Sequence, residues 1–269
     1  MRRLLASLAV CLLLSGCWDQ VQLNKQLFVD ITGIDYNKGD GKRLKVSYVV
    51  SELSDTTQGG GKPSDSYLES TGANIYETVS NINKEMPGTL SVLETRLYLI
   101  GAEFAKDQPM DYLNNAAQFE TLYADLVLYD GDLPKLLAKK EINGQTTSDF
   151  LVGLLEDEKR RGRIPSNKLF HYILGGEGFM NDFLLNRFEP FGNGARLAGT
   201  ALFRDGKYTG VNLNNDETLL ALLMKGAPAK GQLFFGPGAS IPYSARVRKR
   251  RGVTVLPMTA KAFAKSRFL

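Results

Sequence analysis

Residues 43–53 read RLKVSYVVSEL, and their alternation of apolar and other side chains predicts a half-buried β-strand. Four side chains share its apolar face: Leu44, Val46, Tyr48 and Val50. The run LFVDITGID at 27–35 alternates in the same way and predicts a second strand. Between the two runs lies NKGDG at 37–41, a cluster of turn-forming residues. The sequence therefore predicts that these two strands form an antiparallel hairpin.

Downstream of this hairpin, a polar, Gly-rich stretch at 54–65 is expected to be a loop. Residues 72–86 then predict an amphipathic helix, because apolar residues recur at three- and four-residue steps. Strands are predicted at 97–100 and 125–129. Further helices are expected around 111–122, after a cap at Asp132, and after a cap at Ser148. This alternation of strands and helices predicts a mixed α/β layer structure, an α+β fold, up to about residue 190.

The last part of the chain begins with Glu189–Gly194, EPFGNG, which we interpret as a linker. Beyond it, 197–213 predicts a hairpin that turns at Asp205-Gly206, and a charge at Leu202 is expected to unfold it. Asn214 or Asn215 is expected to cap a following helix. The predicted domains are therefore 17–190 and 191–269.

The chain starts with MRRLLASLAVCLLLSGC. Arg2 and Arg3 precede an apolar run from Leu4 to Leu14, which has the length of a signal-peptide core and is short for a transmembrane helix. The run ends in Leu-Ser-Gly-Cys, the form of a bacterial lipobox, in which small residues let the peptidase approach and the cysteine thiol is acylated. We expect residues 1–16 to be removed and Cys17 to anchor the protein to the outer face of a membrane. The alternative is an ordinary secretory signal followed by an unrelated cysteine.

Charge is distributed unevenly along the chain, whose net charge is +4. Of the 33 basic residues, eight lie in 245–269 and two in the signal, which leaves 23 against 29 acidic residues in 17–244. The predicted folded body is thus mildly acidic, which argues against a nucleic-acid-binding face. With Cys11 removed and Cys17 acylated, no thiol remains for a disulfide or a redox centre. His171 is the only histidine, which excludes a multi-histidine metal site, and no cofactor is predicted.

Catalytic motifs do not assemble in this sequence. Gly59–Lys62 departs from the phosphate-loop pattern. That pattern needs a glycine at position 56, where this chain has threonine, and a serine or threonine at position 63, where it has proline. The glycines at 175–178 and 192–194 lack the spacing of a dinucleotide-binding loop, so turns or linkers explain them better. No nucleophile, base and oxyanion donor can be grouped, and we predict that the protein is not an enzyme.

Three groups of residues, in chain order, produce a family resemblance. The first is Gly16-Cys17-Trp18-Asp19, followed by Leu23-Asn24 and Gly33-Ile34-Asp35. The second is Leu97–Gly101 with Glu103-Phe104-Ala105. The third is Gly199–Lys207, then Gly210, Glu217-Thr218 and Lys225-Gly226. Together they resemble the C-subunit lipoproteins of spore germinant receptors, the Ger(x)C type, over residues 16–226.

The resemblance implies an extracytoplasmic α/β lipoprotein without enzymatic activity. It implies that this lipoprotein acts with an integral-membrane A subunit and a transporter-like B subunit in the inner membrane of the spore, where nutrients trigger germination. Cys17 is the one residue to which the resemblance transfers a role, that of lipid attachment. A solute-binding lipoprotein that delivers a small ligand to a membrane transporter is the alternative function.

One feature departs from the family pattern, since its members usually carry a long second domain. Residues 231–244 still resemble family sequence, whereas 248–269 contain no acidic residue and no clear strand alternation. We therefore expect the second domain to be truncated or frameshifted after about residue 244. A genuine basic tail that contacts anionic headgroups is the alternative.

Overall fold

A computed structural model describes residues 26–37, 43–52, 64–107, 113, 123–173, 182–224, 229–234, 240–245, 248–250, 253–255 and 258–260. The larger strands are β1 Gln26–Tyr36, β2 Leu44–Glu52, β3 Ser64–Gly72, β4 Thr89–Ser91, β5 Leu97–Gly101, β6 Asp125–Tyr129, β9 Asp182–Phe191, β10 Gly194–Arg204 and β11 Lys207–Leu213. The remaining strands are β7 Glu141–Ile142, β8 Gln145–Thr146, β12 Ala229–Phe234, β13 Ser240–Ala245, β14 Arg248–Arg250, β15 Val253–Val255 and β16 Met258–Ala260. The helices are α1 Ile75–Glu85, α2 Ala102–Ala105, α3 Leu133–Leu137, α4 Thr147–Arg160, α5 Leu169–Ile173 and α6 Asn215–Met224.

Nine of the described strands form one mixed sheet. Its order is β11-β10-β9-β6-β5-β1-β2-β3, and β4 pairs with the first residues of β1. The four central strands β9, β6, β5 and β1 are parallel. Antiparallel hairpins extend the sheet at both sides, through β2 and β3 and through β10 and β11. The carboxyl ends of the central strands therefore meet at one end of the sheet, and their amino ends meet at the other.

Helices cover both faces of the sheet. One hydrophobic core lies between the sheet and α1, α2 and α5, and contains Ile75, Phe104 and Tyr172. The other core lies between the opposite face and α3 and α4, and contains Leu137 and Leu151. Because each helix contributes one apolar stripe, three layers bury both faces of the central strands. The predicted α+β fold is confirmed.

The first hairpin agrees with the sequence in its pairing and departs from it in one detail. β1 and β2 are antiparallel neighbours, and the four apolar residues of β2 predicted to share a face all enter the same core. In β1, however, Val29 and Ile31 enter opposite cores. The register shifts between these two residues, so Asp30 is the extra residue of a β-bulge. The bulge reverses the alternation that the sequence predicts for this strand.

Three residues were predicted to cap the amino ends of helices, and the structure places two of them in that position. Asp132 caps α3 by accepting a hydrogen bond from the Lys135 amide, as predicted. Asn214 caps α6 in the same manner, through the amides of the second and third residues after it. The predicted cap of α4, Ser148, is wrong, because Thr146 occupies that position and accepts from the Asp149 amide.

Ser148 instead has a long-range partner. Its amide and its hydroxyl both donate to the carboxylate of Asp65, at 2.8 and 3.0 Å. Asp65 belongs to β3, so the predicted loop at 54–65 is wrong at its end, and residues 54–63 lie outside the described residues. Residues 66–71 were assigned no element, yet they pair with β2 along their length, and Gly72, which was assigned to the following helix, ends β3.

The predicted linker at 189–194 is wrong. Glu189 to Phe191 complete β9, a two-residue turn follows, and Gly194 starts β10. The next hairpin turns at Asp205-Gly206, as predicted, with φ of 50° and 72° at these residues. Strands on both sides of residue 190 thus share one sheet, while the predicted domain boundaries and the truncation after about 244 stay predictions.

Two other predictions concern the remaining segments. Residues 111–122, where a helix is expected, lie outside the described residues apart from the buried Leu113. Beyond 229, β12 and β13 pair with each other, and β13 contains Ile241-Pro242. Short strands also occur at 248–250, 253–255 and 258–260, although the sequence of 248–269 shows no clear strand alternation.

Candidate functional site

A cleft of about 500 Å³ opens at the carboxyl end of β1, next to the loop that follows β6. In open α/β sheets, ligands bind outside the carboxyl ends of the parallel strands, where the loops diverge. The cleft is the candidate site on these grounds. Its polar lining is Asp35, Tyr36, Asn37, Lys45, Tyr67, Glu69, Asp132 and Lys135.

The end of β1 forms the floor of the cleft. Asp35 accepts a hydrogen bond from the Tyr36 amide at 2.8 Å. Its carboxylate lies against the Cα of Gly101, where a Cβ would stand 2.7 Å from Oδ1 and closer still to Cγ. The Tyr36 ring packs edge-on against Phe104, with 5.3 Å between ring centroids, and its hydroxyl donates to Asp107. These contacts give both side chains defined positions.

The wall formed by β2 and β3 carries a charged pair and a phenol. Lys45 and Glu69 form a salt bridge of 2.9 Å. The Tyr67 hydroxyl donates to Glu69 at 2.5 Å and lies 3.0 Å from the Ser47 hydroxyl. Burial and the hydrogen bond to Glu69 raise the pKa of Tyr67, so its phenol stays protonated at neutral pH and remains a hydrogen-bond donor.

Helix α3 forms the opposite rim and approaches the sheet closely. The approach depends on Gly33, because a Cβ there would stand 2.5 Å from Leu137 Cδ1. The cap Asp132 and Lys135 of the first turn both line the cleft and are exposed. The fold therefore joins residues about 100 positions apart in the chain around one opening.

The chemistry of this lining is that of hydrogen bonding and charge pairing. Its carboxylates accept, its lysines and phenols donate, and the apolar Leu133 and Pro134 contribute contact area. Among the described residues that line the cleft, none is a serine, cysteine or histidine, so these side chains do not pair a nucleophile with a base in the manner of hydrolases. Such an arrangement can bind a small polar molecule or a partner's polar side chains.

A second group of charges lies at the amino end of the sheet. Asp125, at the start of β6, is 4% exposed and pairs with Lys159 and with Lys168, the latter at 3.0 Å. Burial lowers the pKa of Lys159, although Asp125 opposes this shift. Nearby, Arg96 bridges Asp30 at 2.9 Å and Asp149 at 3.3 Å. These ion pairs join α4 to the strands, and they have a structural role.

The residues singled out by sequence have different outcomes. Cys17 lies outside the described residues, as do Gly59–Lys62 and 175–178. Gly192 and its neighbours are the turn between β9 and β10, and His171 is exposed on α5. Within the described ranges, no group of three or more His, Cys, Asp or Glu side chains is placed to hold a metal ion. None of the helices in these ranges is both long and apolar enough to cross a membrane.

Sequence reasoning missed most of the cleft. Asp132 was noted only as a helix cap, and Asp35 only as the end of a strand and as part of the family resemblance. The available signal was that Asp35 ends one predicted strand and Asp132 follows another, so that both fall at the same end of the sheet if the two strands are parallel. Tyr67 and Glu69 carried no such signal, because they come from β3, which the sequence did not predict. Lys45 lies on the predicted hairpin strand at 43–53, and nothing local marks it as part of a cleft.

The three groups of family-like residues occupy positions with tight packing. Gly33 and Asp35 in β1 lie beside Leu97–Gly101 in β5. Gly199 has a φ of 85°, and a Cβ there would overlap the backbone oxygen of Leu213. Next to it, the hydroxyls of Thr200 and Thr218 meet at 3.0 Å in the interior. Among the described residues that contribute to the resemblance, these therefore hold strands and helices together, whereas 16–24 and 225–226 lie outside the described part of the chain.

Comparison with known proteins agrees with the resemblance to spore germination proteins. Residues 19–188 match the family model described as the spore germination protein N-terminal domain. A Bacillus subtilis (strain 168) protein named "Putative spore germination protein YfkR" is 31% identical over 104 residues, which are 37% of this chain and 27% of that relative. No solved structure matches the chain. Since the family model covers more than half of the sequence, the chain belongs to the Ger(x)C-type family of spore germination proteins.

Proposed function

We propose that the protein is a membrane-anchored, non-catalytic lipoprotein subunit of a nutrient germinant receptor. One observation carries the proposal: the lipobox ends at Cys17, and the family match begins two residues later, at Asp19. A signal ending in an acylatable cysteine thus directly precedes the germination domain. The family itself supports a role in spore germination, and the anchoring and the receptor role are our extension.

Acylation at Cys17 supplies the attachment to the membrane. One acyl chain gives only marginal and reversible binding, whereas two or more give lasting attachment. A diacylglycerol thioether on Cys17 meets this requirement without a transmembrane helix. The domain is then held on the outer face of the inner membrane of the spore, beside the integral-membrane A and B subunits that the family resemblance implies.

The non-catalytic part of the proposal has support in the cleft. The lining residues that the structure describes offer hydrogen-bond donors and acceptors, and none of them is a serine, cysteine or histidine. The subunit therefore acts by binding, through the cleft or through other surfaces, to neighbouring proteins of the receptor. No cofactor is required for this role.

The proposal is tested with spores that lack the gene, scored for germination on single nutrients. We expect loss of the response to one nutrient class, restored by the intact gene and only weakly by Cys17→Ala. In parallel, Cys17→Ala is expected to move the protein from the membrane fraction to the soluble fraction. A normal response to every nutrient would contradict the receptor role. Retention of Cys17→Ala in the membrane fraction would contradict the lipid anchor.

The cleft favours a second candidate, a lipoprotein that captures a small solute for a transporter. Its volume of about 500 Å³ and its lining of both charge signs suit a small polar molecule. A thermal-shift screen of amino acids, sugars and nucleosides tests this function. A rise in melting temperature that Lys45→Ala and Asp132→Ala abolish would support solute binding, and no shift with any compound would count against it.

A further inference from the structure

We propose that the amino end of the central strands faces the lipid bilayer, with Leu93 and Tyr123 seated in its headgroup region. The proposal rests on the acylation of Cys17 proposed above. It assigns an interaction surface and an orientation: the amino end contacts lipid, and the cleft at the carboxyl end points away from the membrane.

The length of chain between the anchor and the fold limits where the bilayer can lie. Eight residues separate Cys17 from Gln26, the first residue of β1. Even fully extended, such a segment spans only about 30 Å. β1 itself, with 11 residues, is roughly 33 Å long, so the cleft at Tyr36 is a further strand length from the anchor. If the amino end of β1 faces the bilayer, the segment between Cys17 and Gln26 can be much shorter than its extended length. If the cleft faces the bilayer, this segment must run fully extended along the whole of β1.

The amino end carries an exposed apolar pair. Leu93 lies in the turn between β4 and β5 and is 57% exposed, and Tyr123 lies just before β6 and is 78% exposed. Both line one cleft of about 330 Å³, together with Val152 of α4. Leucine and tyrosine side chains suit the membrane interface, where an apolar body and a phenol hydroxyl can both be accommodated.

Other exposed apolar side chains of the described residues lie elsewhere. Tyr76 lies in the first turn of α1, which follows the end of β3 at the carboxyl end of the sheet. Phe191 ends β9 at that same end, and the Arg196 guanidinium covers its ring at 4.8 Å. Val211 and Leu220 lie on β11 and α6, at the far side of the sheet from β1. Of the large apolar side chains that are exposed in the described residues, Leu93 and Tyr123 are therefore the two that lie at the amino ends of β5 and β6.

The turn that carries Leu93 is fixed to the sheet. The Thr95 hydroxyl donates to the carbonyl of Val92 at 2.8 Å, and the Arg96 amide donates to the carbonyl of Asp30 at 2.9 Å. The residue after Tyr123, Ala124, is buried and accepts a hydrogen bond from the Leu169 amide. The backbone next to each of the two apolar side chains is thus hydrogen-bonded into the fold, which lowers the entropic cost of placing these side chains in an interface.

Charge at this end is balanced. Arg96 and Lys168 line the same cleft and pair with Asp30 and Asp125, and the exposed Glu94 and Glu156 lie at its rim. This end of the sheet therefore has little net attraction for anionic headgroups. In zwitterionic membranes, we expect the apolar pair and the anchor to determine the orientation.

The orientation is tested by fluorescence quenching on vesicles. In the mature chain 17–269, Cys17 is the one thiol and Trp18 the one tryptophan. The chain is made with Trp18→Phe, and Cys17 is coupled to a maleimide lipid in phosphatidylcholine vesicles. Leu93→Trp and Tyr123→Trp then report on the amino end, and the matched control Lys135→Trp reports on the exposed rim at the carboxyl end. Circular dichroism verifies that each variant is folded.

Lipids brominated near the headgroup quench tryptophans at the bilayer surface. We expect about twofold quenching at position 93 or 123, and little at 135, because interfacial side chains lie within about 5–10 Å of the headgroup boundary. Quenching at either amino-end position above that at 135 supports the proposal. Equal quenching at all three positions, or stronger quenching at 135, overturns the proposal. The absence of quenching at 93 and 123 also overturns it, and in that case the apolar pair is assigned to a protein partner. Because the lipid is attached chemically, this outcome is independent of whether the cell acylates Cys17, which the fractionation of Cys17→Ala tests.

Discussion

The carboxylate of Asp35, at the end of β1, lies directly against the Cα of Gly101, at the end of the neighbouring strand β5. Asp35 also accepts the Tyr36 amide, so its position is defined from two sides. Any side chain at position 101 would enter the volume that the carboxylate occupies. The floor of the candidate cleft thus depends on a glycine that contributes no functional group to it.

We expect Gly101→Ala to destabilise the fold by about 1–3 kcal/mol, the usual cost of added volume in a filled site. Urea unfolding measures this change. Asp35→Ala removes the overlapping carboxylate, so the double variant is expected to lose less stability than the sum of the two single variants. Additive losses would show that the new methyl group finds space elsewhere.

Gly153→Ala is the matched control for this substitution. Gly153 lies within α4, and a Cβ there would meet no atom within 4 Å. Since alanine has a higher helix propensity than glycine, this variant is expected to be more stable by about 0.5–1 kcal/mol. Opposite signs for the two glycine substitutions would confirm that local space, and not the loss of glycine as such, determines the effect.

The hydroxyl pair of Thr200 and Thr218 gives a second prediction. Both residues are fully buried, and their hydroxyls contact at 3.0 Å, which joins β10 to α6. Replacing either with valine leaves the other hydroxyl without this partner, at a cost of about 1–3 kcal/mol. Replacing both is expected to cost less than either single change, because no buried hydroxyl remains. A double-mutant cycle by urea unfolding measures the coupling, and a double variant that loses the sum of both would refute it.

The hairpin at 194–213 gives a third prediction, which corrects an expectation from the sequence. Leu202 is only half-buried and lines a surface cleft, whereas Phe203 is 2% exposed and stacks on Phe183 at 4.6 Å between ring centroids. We expect Phe203→Ala to cost about 3–5 kcal/mol. Leu202→Ala is expected to cost less than about 2 kcal/mol, because its side chain keeps part of its contact with water in the folded state. Thermal melting of the two variants compares them. Equal losses would show that Leu202 is more deeply packed than its exposure indicates.

Asp65 gives a prediction about pH. Burial raises the pKa of this carboxyl above its usual value of 3.8, although the two hydrogen bonds from Ser148 oppose the shift. A raised pKa means that the folded state holds the proton more tightly than the unfolded state. This contribution to stability is therefore present at low pH and is lost as pH rises through 3.8 towards the folded pKa. Asp65→Asn is expected to remove it.

Urea unfolding at a series of pH values from 3 to 7 measures the Asp65 contribution as the difference between wild type and Asp65→Asn. The wild type is expected to lose stability relative to the variant as pH increases. Ser148→Ala provides the comparison, since it removes one donor to the carboxylate and raises the pKa of Asp65 further. In Ser148→Ala, the stability that protonated Asp65 contributes should therefore be lost over a range that extends to higher pH than in the wild type. A difference that does not change with pH would show that Asp65 has the same pKa in both states.

Much of the fold could be predicted because its signals are local. The hairpin of β1 and β2, the turn at Asp205-Gly206 and the cap at Asp132 each depend on residues close together in sequence. β3 could not be predicted, because its residues 64–72 are mostly polar and become a strand by pairing with β2. The cap of α4 was assigned wrongly because Thr146 and Ser148 are both good caps. The choice between them depends on Asp65, which lies more than 80 residues away.

Glu189–Gly194 illustrates the same limit. Proline, glycine and asparagine in succession are as typical of a hairpin turn as of a linker. What distinguishes the two is whether the flanking residues pair with each other, and here Phe191 and Gly194 do. The bulge at Asp30 has a similar origin, since the register of β1 depends on both of its neighbours in the sheet.

The sequence by itself determined the family, the mixed α/β character and the expected anchor at Cys17, because each depends on short runs of residues in a given order. Only the tertiary structure decided which strands are central, how Asp35, Tyr67 and Asp132 meet in one cleft, and which end of the sheet presents Leu93 and Tyr123. These properties depend on contacts between segments distant in the chain. The free energy of such contacts comes from shared burial and pairing, which no single segment specifies.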